Sequence, residues 1–233
     1  MATGKIPRFV DPGRVKRMVA VRYALFFFAL AAIFFLPAGT LDYWQAWVYM
    51  AILLLPMGMA LLHYLEKGPE LLELRMRTRE KERKRRAIML LFYPLFLAAF
   101  LLPGLDRRYG WSAVPAWLVG DADCIVLASY FLFIRVMHEN RFLSRTVELV
   151  PGQKVIDTGP YAVVRHPMYA AAIPLVLFSP LALGSYWAIL PAALLPLVII
   201  ARMFQEEKVL GRELPGYRKY ARRVKHRLIP GVW

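Results

Sequence analysis

Long apolar runs alternate with short polar or basic stretches along this chain, and that alternation predicts helices across a membrane. Tyr23–Leu36 is almost wholly apolar and is closed by Pro37-Ala38-Gly39. With its flanks it reaches the ~20 residues that a membrane helix needs. Further spans are expected over about Trp44–Leu65, Ala87–Leu102, Pro115–Met137, Pro167–Leu183 and Tyr186–Met203. Pro56, Pro174, Pro180, Pro191 and Pro196 fall inside them, as membrane helices tolerate. Gly184-Ser185 predicts a tight turn, so the last two runs form a helical hairpin. A charged, amphipathic tail follows, Gln205–Trp233.

Composition agrees with this pattern. Of 233 residues 59% are hydrophobic, and the mean hydropathy is +0.44, far above a soluble domain. The fold expected is all-α: a polytopic transmembrane helical bundle of about six spans, in one domain over residues 1–233. The net charge of +15 lies in blocks between the apolar runs, as juxtamembrane anchors do. Basic residues crowd the first 20 positions, segment 66–86, the loop 138–166 and the tail. Links 37–43 and 184–185 have none, and link 103–114 has only Arg107 and Arg108. This bias predicts both termini, and the 138–166 loop, on the cytosolic side.

Several classes drop out. No groove-reading or RNA-stacking module is visible, so nucleic acid is not an expected partner. Cys124 is the single cysteine, which excludes an intrachain disulfide and a cysteine-based metal site. His138 and His166 match no zinc spacing, so no metal is expected. The expected spans are nearly free of ionisable groups, which argues against a proton relay through the bilayer.

Polar chemistry clusters at the cytosolic ends of the last spans. Gly159-Pro160 turns the chain inward, and Tyr161 offers an aromatic wall with a hydroxyl. In Arg165-His166-Pro167-Met168-Tyr169, Pro167 suits the first turn of a helix. Arg165 and His166 then stand at the helix mouth with backbone N–H groups free behind them, a place for a carboxylate. Glu206-Glu207 follows the sixth span and is expected at a helix C-terminus, where the dipole disfavours it unless a cation is near. Arg202, Lys208 and Arg212 could supply that cation. The hairpin returns the acidic pair to the side where Arg165 begins, near Tyr169 and Tyr217, which would make a pocket for a zwitterion. Asn140, Ser144 and Arg145 precede it on the same side.

At these residues the chain resembles the isoprenylcysteine carboxyl methyltransferase family and the related phospholipid methyltransferases. The resemblance rests on Gly159-Pro160-Tyr161, Arg165-His166-Pro167-x-Tyr169, Glu206-Glu207, Tyr217-x-x-Tyr220 and Ile229-Pro230, and covers about 138–233. It implies a membrane enzyme that moves a methyl group from S-adenosylmethionine to a lipophilic acceptor, such as an isoprenylcysteine-type carboxylate or a lipid headgroup. Residues 138–233 would be the cofactor-binding core and 1–137 the variable front spans. Tyr161, His166, Pro167 and Tyr169 would hold the cofactor, with Glu206 or Glu207 on its amino or hydroxyl groups. Arg165 and Glu207 would be catalytic, Arg165 lying near the substrate or the cofactor carboxylate, and Asn140 and Arg145 would meet the substrate. The site would face the cytosol, and the compact length suits a prokaryotic inner membrane. The sterol reductases, which use NADPH, are similar in the Arg-His-Pro segment and the later acidic pair, but are longer. A non-catalytic membrane scaffold is the third reading, and it would not bind S-adenosylmethionine.

Overall fold

A computed structural model of the protein describes residues 12–67, 83–140 and 153–233. Among them the structure is all-helical, with no strand. The elements are α1 (Pro12–Ala38), α2 (Trp44–Lys67), α3 (Arg83–Tyr109), α4 (Ala116–Glu139), a 3-10 turn (Gly159–Ala162), α5 (Pro167–Ala182), α6 (Ile189–Glu213) and α7 (Tyr217–Arg223). The expected boundaries hold at α2, α4 and α5. Both α1 and α3 start earlier than the apolar runs suggest, because their basic flanks are helical too.

Among the described residues, four helices are long and apolar enough to cross a membrane: Gly13–Ala38, Trp44–His63, Ala116–Glu139 and Ile189–Glu213. α5 is apolar but has only 16 residues. At 1.5 Å per residue it is about 24 Å long, short of the ~30 Å of a bilayer core. These helices, with many large apolar side chains directed outward (Leu25, Phe28, Leu55, Leu97, Leu190 and Leu197 among them), make this an integral membrane protein.

The core sits between α1, α2, α3, α4, α5 and α6. Phe34 and Tyr49 are fully enclosed and meet edge to face at 5.8 Å, with Phe100 against both. Tyr49 is kept in place by a 2.6 Å hydrogen bond with Ser179 Oγ, which also donates to the Leu175 carbonyl within α5. A buried phenol needs such a partner. α4 lies along α5 and makes its most extensive contact there.

One end of the bundle is tied by Asp106, in the last turn of α3 and 1% exposed. Its carboxylate accepts from the Ser112 N–H and hydroxyl, each at 2.6 Å, and from the Ser185 hydroxyl. Nearby, the Tyr43 hydroxyl donates to the Leu183 carbonyl at 2.5 Å, and Arg107 pairs with Asp42 at 3.1 Å. Trp44, Trp47, Tyr109, Trp111, Trp117, Tyr186 and Trp187 are exposed around this end, an aromatic belt of the interfacial kind. Gly184, at φ +74°, turns α5 into α6 where a side chain would be strained.

α1 and α3 approach closely at Gly104, where an added Cβ would stand 2.7 Å from the Phe34 carbonyl oxygen. Backbone cannot yield as a side chain would. Gly104→Ala is therefore expected to destabilise by about 2 kcal/mol, seen as a lower melting temperature in detergent. Gly120→Ala, where a Cβ meets nothing within 4 Å, serves as the control and should melt at or above wild type.

Candidate functional site

At the end of the bundle opposite Asp106, the chain leaves α4 and returns through the 3-10 turn into α5. The entry is shaped by Glu139, the last residue of α4. Gly159 has φ +55°, and a Cβ there would lie 2.6 Å from Glu139 Oε2. Glu139 Oε1 accepts the Thr158 hydroxyl. The positive φ asks for glycine here, and a Cβ would also have to displace the end of the Glu139 side chain.

The turn delivers Tyr161 to Asn140. Asn140 Nδ2 donates to the Tyr161 hydroxyl at 3.0 Å, and the Tyr161 carbonyl accepts from the Tyr220 hydroxyl at 2.8 Å. Burial pushes the Tyr161 phenol up to about 12, opposed by the Asn140 hydrogen bond and reinforced by the charge of Glu206. It is a neutral hydroxyl at any ordinary pH.

Pro167 opens α5, where its missing N–H costs no helical bond. The backbone N–H groups just before it are not free, contrary to the expectation from sequence. Arg165 N–H donates to the His226 carbonyl at 2.9 Å and His166 N–H to the Arg227 carbonyl at 3.0 Å. A strap of the tail therefore occupies the place where an anion was expected. The side chains of Arg165 and His166 are what remain to do chemistry.

They converge on Glu207. Arg165 Nε lies 3.0 Å and His166 Nε2 3.2 Å from Glu207 Oε1, while Arg227 Nε lies 3.1 Å from Oε2. The carboxylate is 16% exposed. Neighbouring Glu206 accepts the Tyr169 hydroxyl at 2.6 Å, and Arg202 bonds to the same hydroxyl. The two adjacent carboxylates thus have separate partners. Nor do they stand at a helix C-terminus: α6 continues to Glu213, about two turns further. The cations that offset Glu207 come from other segments, not from Lys208 or Arg212.

Arg227 lay unremarked in a basic tail. Its guanidinium sits 5.5 Å from the Phe204 ring and 5.7 Å from the Trp233 ring, resting against this edge-to-face aromatic pair as it reaches Glu207. No sequence signal separates it from Arg222, Arg223 or Lys225. α7 turns Tyr217 and Tyr220 inward onto Leu210, Leu214, Val155 and Val224. Burial raises both phenols well above their usual range, Tyr217 further through the charge of Glu207 and Tyr220 further through Tyr161.

Of the residues singled out from sequence, the structure brings Arg165, His166 and Glu207 into one ion cluster. It pairs Tyr169 with Glu206 and Asn140 with Tyr161, and it places Pro167 at the head of α5. Arg145 and Ser144 lie outside the described residues. No group of three or more metal-ligating side chains occurs among those described.

The chain matches the isoprenylcysteine carboxyl methyltransferase family over residues 122–212. No curated protein matches it. The match runs from α4 through the 3-10 turn, α5 and most of α6, and so contains Tyr161, Arg165, His166, Tyr169 and the acidic pair. The family matched over residues 122–212 is one of S-adenosylmethionine-dependent methyltransferases.

Proposed function

We propose that this protein transfers a methyl group from S-adenosylmethionine to a lipophilic acceptor at the membrane surface. The observation that carries the reading is the meeting of Arg165 and His166 with Glu207, beside the Tyr169–Glu206 pair, inside the matched segment, with Arg227 joining from the tail beyond it. S-adenosylmethionine has a carboxylate, an ammonium group, a sulfonium and ribose hydroxyls. A site with both charge signs and several aromatic faces fits that chemistry. When bound it would supply an electrophilic methyl carbon: an acceptor carboxylate or thiolate would attack that carbon in line, forming the new bond as the bond to the sulfonium sulfur breaks and S-adenosylhomocysteine leaves.

Such a displacement needs neither metal nor much proton transfer, so the work of the chain is positioning. Tyr161, His166, Pro167 and Tyr169 line the cofactor. Glu206 faces the ammonium or ribose hydroxyls. Glu207 has both oxygens engaged by cations, so in this reading it fixes Arg165 and His166 rather than touching the cofactor itself. Arg165 faces a carboxylate of cofactor or acceptor. Asn140, through the Tyr161 hydroxyl, and Arg145 serve the acceptor side.

The basic segments support six crossings, with both termini and the site on the cytosolic side. The acceptor then enters sideways from the bilayer and the polar donor from the cytosol. A prenylated cysteine carboxylate and a lipid headgroup both suit that geometry.

Calorimetry on the detergent-purified protein is expected to give binding of S-adenosylmethionine and none of NADPH. The reverse result would move the protein to the reductases, and a folded protein that binds neither would be a scaffold.

Glu206→Ala is expected to weaken S-adenosylmethionine binding roughly tenfold or more, and to lower the melting temperature modestly, since the buried Tyr169 hydroxyl loses its acceptor. Glu207→Gln should instead lower stability, by about 2 kcal/mol, since it leaves cations without their counter-charge. Unchanged melting of Glu207→Gln would remove it as the clamp, and unchanged affinity in Glu206→Ala would remove that carboxylate from the cofactor.

A further inference from the structure

The two tyrosines that α7 turns inward differ in one respect. The Tyr220 hydroxyl donates to the Tyr161 carbonyl. The Tyr217 hydroxyl is as deeply enclosed, on a residue 7% exposed, and meets no hydrogen-bond partner among the described residues. A buried donor left unmet costs its full desolvation, so such groups are rare and call for a reason.

A second unmet donor lies beside it. Arg165 has a side chain only 10% exposed. Its Nε is at ion-pair distance from Glu207 Oε1, 3.0 Å, yet its N–H is not aligned on that oxygen and makes no hydrogen bond. Its Nη1 donates to the Ala221 carbonyl at 3.3 Å, one turn along α7 from Tyr217. Arg165, Glu207 and Glu206 are the charges that the Tyr217 hydroxyl feels. The Arg165 bond to Ala221 brings the ion cluster against α7, and the Tyr217 hydroxyl bonds to none of its members.

Two buried donors without acceptors ask for an acceptor from outside. The local charge says which kind. Arg165, Arg202 and Arg227 stand against Glu206 and Glu207, so even with His166 neutral the cluster has a surplus positive charge. An anionic group is favoured over a neutral one.

We propose that the Tyr217 hydroxyl and the Arg165 Nε–H together receive a ligand carboxylate, which makes Tyr217 a ligand-binding residue of this site. The proposal rests on the methyl-transfer reading. It adds a residue that reading does not use and a chemical group for it to hold. That carboxylate belongs either to the amino-acid end of S-adenosylmethionine or to the acceptor, and the two are separable.

The test uses the full chain in detergent, as wild type, Tyr217→Phe and Tyr220→Phe. Tyr217→Phe removes an unmet donor from a buried place, so it should melt at or above wild type. Tyr220→Phe removes a donor that is bonded and should melt below it. A ligand carboxylate held here by a charge-assisted bond loses roughly tenfold or more in affinity when the hydroxyl goes. If the carboxylate is the donor's, calorimetry will show that loss in Tyr217→Phe for S-adenosylmethionine and none for its decarboxylated form. If it is the acceptor's, S-adenosylmethionine affinity will stay put and KM for an S-prenylated N-acetylcysteine will rise instead.

A Tyr217→Phe protein that melts well below wild type would overturn the proposal, because the hydroxyl would then have a partner inside the fold. So would unchanged constants for both ligands alongside normal binding in wild type. Failure of wild type to bind S-adenosylmethionine would be a different result, bringing down the methyl-transfer reading and the proposal with it.

Discussion

Everything at the functional end of this molecule depends on one carboxylate. Glu207 is mostly buried on α6, and around it stand Arg165 and His166 from the head of α5 and Arg227 from the tail. Bringing that many charges out of water is costly unless their geometry is mutually satisfied. The geometry in turn fixes the backbone. Residues 165 and 166 are bonded to the carbonyls of 226 and 227, and Arg227 rests against the paired rings of Phe204 and Trp233. Moving any of these segments by the width of an atom would leave a charge without its partner. The site is consequently made of parts that cannot drift independently, which is what a positioning mechanism requires.

The opposite end of the bundle uses the same device for another purpose. Asp106 gathers two serine hydroxyls and a backbone N–H from two different links, with Tyr43 reaching across to the end of α5. No comparable set of cations is present there, and the aromatic residues around it suit the edge of a membrane. Between the two polar ends lies an apolar middle whose helices touch closely enough that glycine is needed at Gly104. α5 and α6 are thereby held at both ends, and the angle between Tyr169 and the acidic pair follows from that.

The helices were legible because their signal is long. Apolar runs such as Tyr23–Leu36 and Pro115–Met137 leave little choice of structure. The site was legible where residue type and spacing carry meaning: Pro167 as a helix starter, Arg165 and His166 beside it, and an acidic pair after the hairpin. Three things were not. The tail strap is a backbone pairing, and backbone bonds leave no trace in residue types. Arg227 is one basic residue among several, distinguished only by the two rings that flank it. The division of labour between Glu206 and Glu207 depends on which way each side chain leaves α6, and adjacent residues on a helix point about 100° apart. The error about the helix end has a similar root, because α6 continues past the last apolar residue on charged side chains that the apolar pattern does not count.

The strap has a consequence for the order in which the protein comes into being. A chain is synthesised from its first residue, and helices can settle as they emerge. All the helices of the bundle, α1 to α6, exist in the growing chain before residue 227 is added. Until then Glu207 has Arg165 and His166 beside it but not Arg227, and the N–H groups of Arg165 and His166 have no tail carbonyls to meet. The bundle can be finished while its chemistry is still unbuilt. Competence waits for the tail, when a few residues fold back over helices already in place.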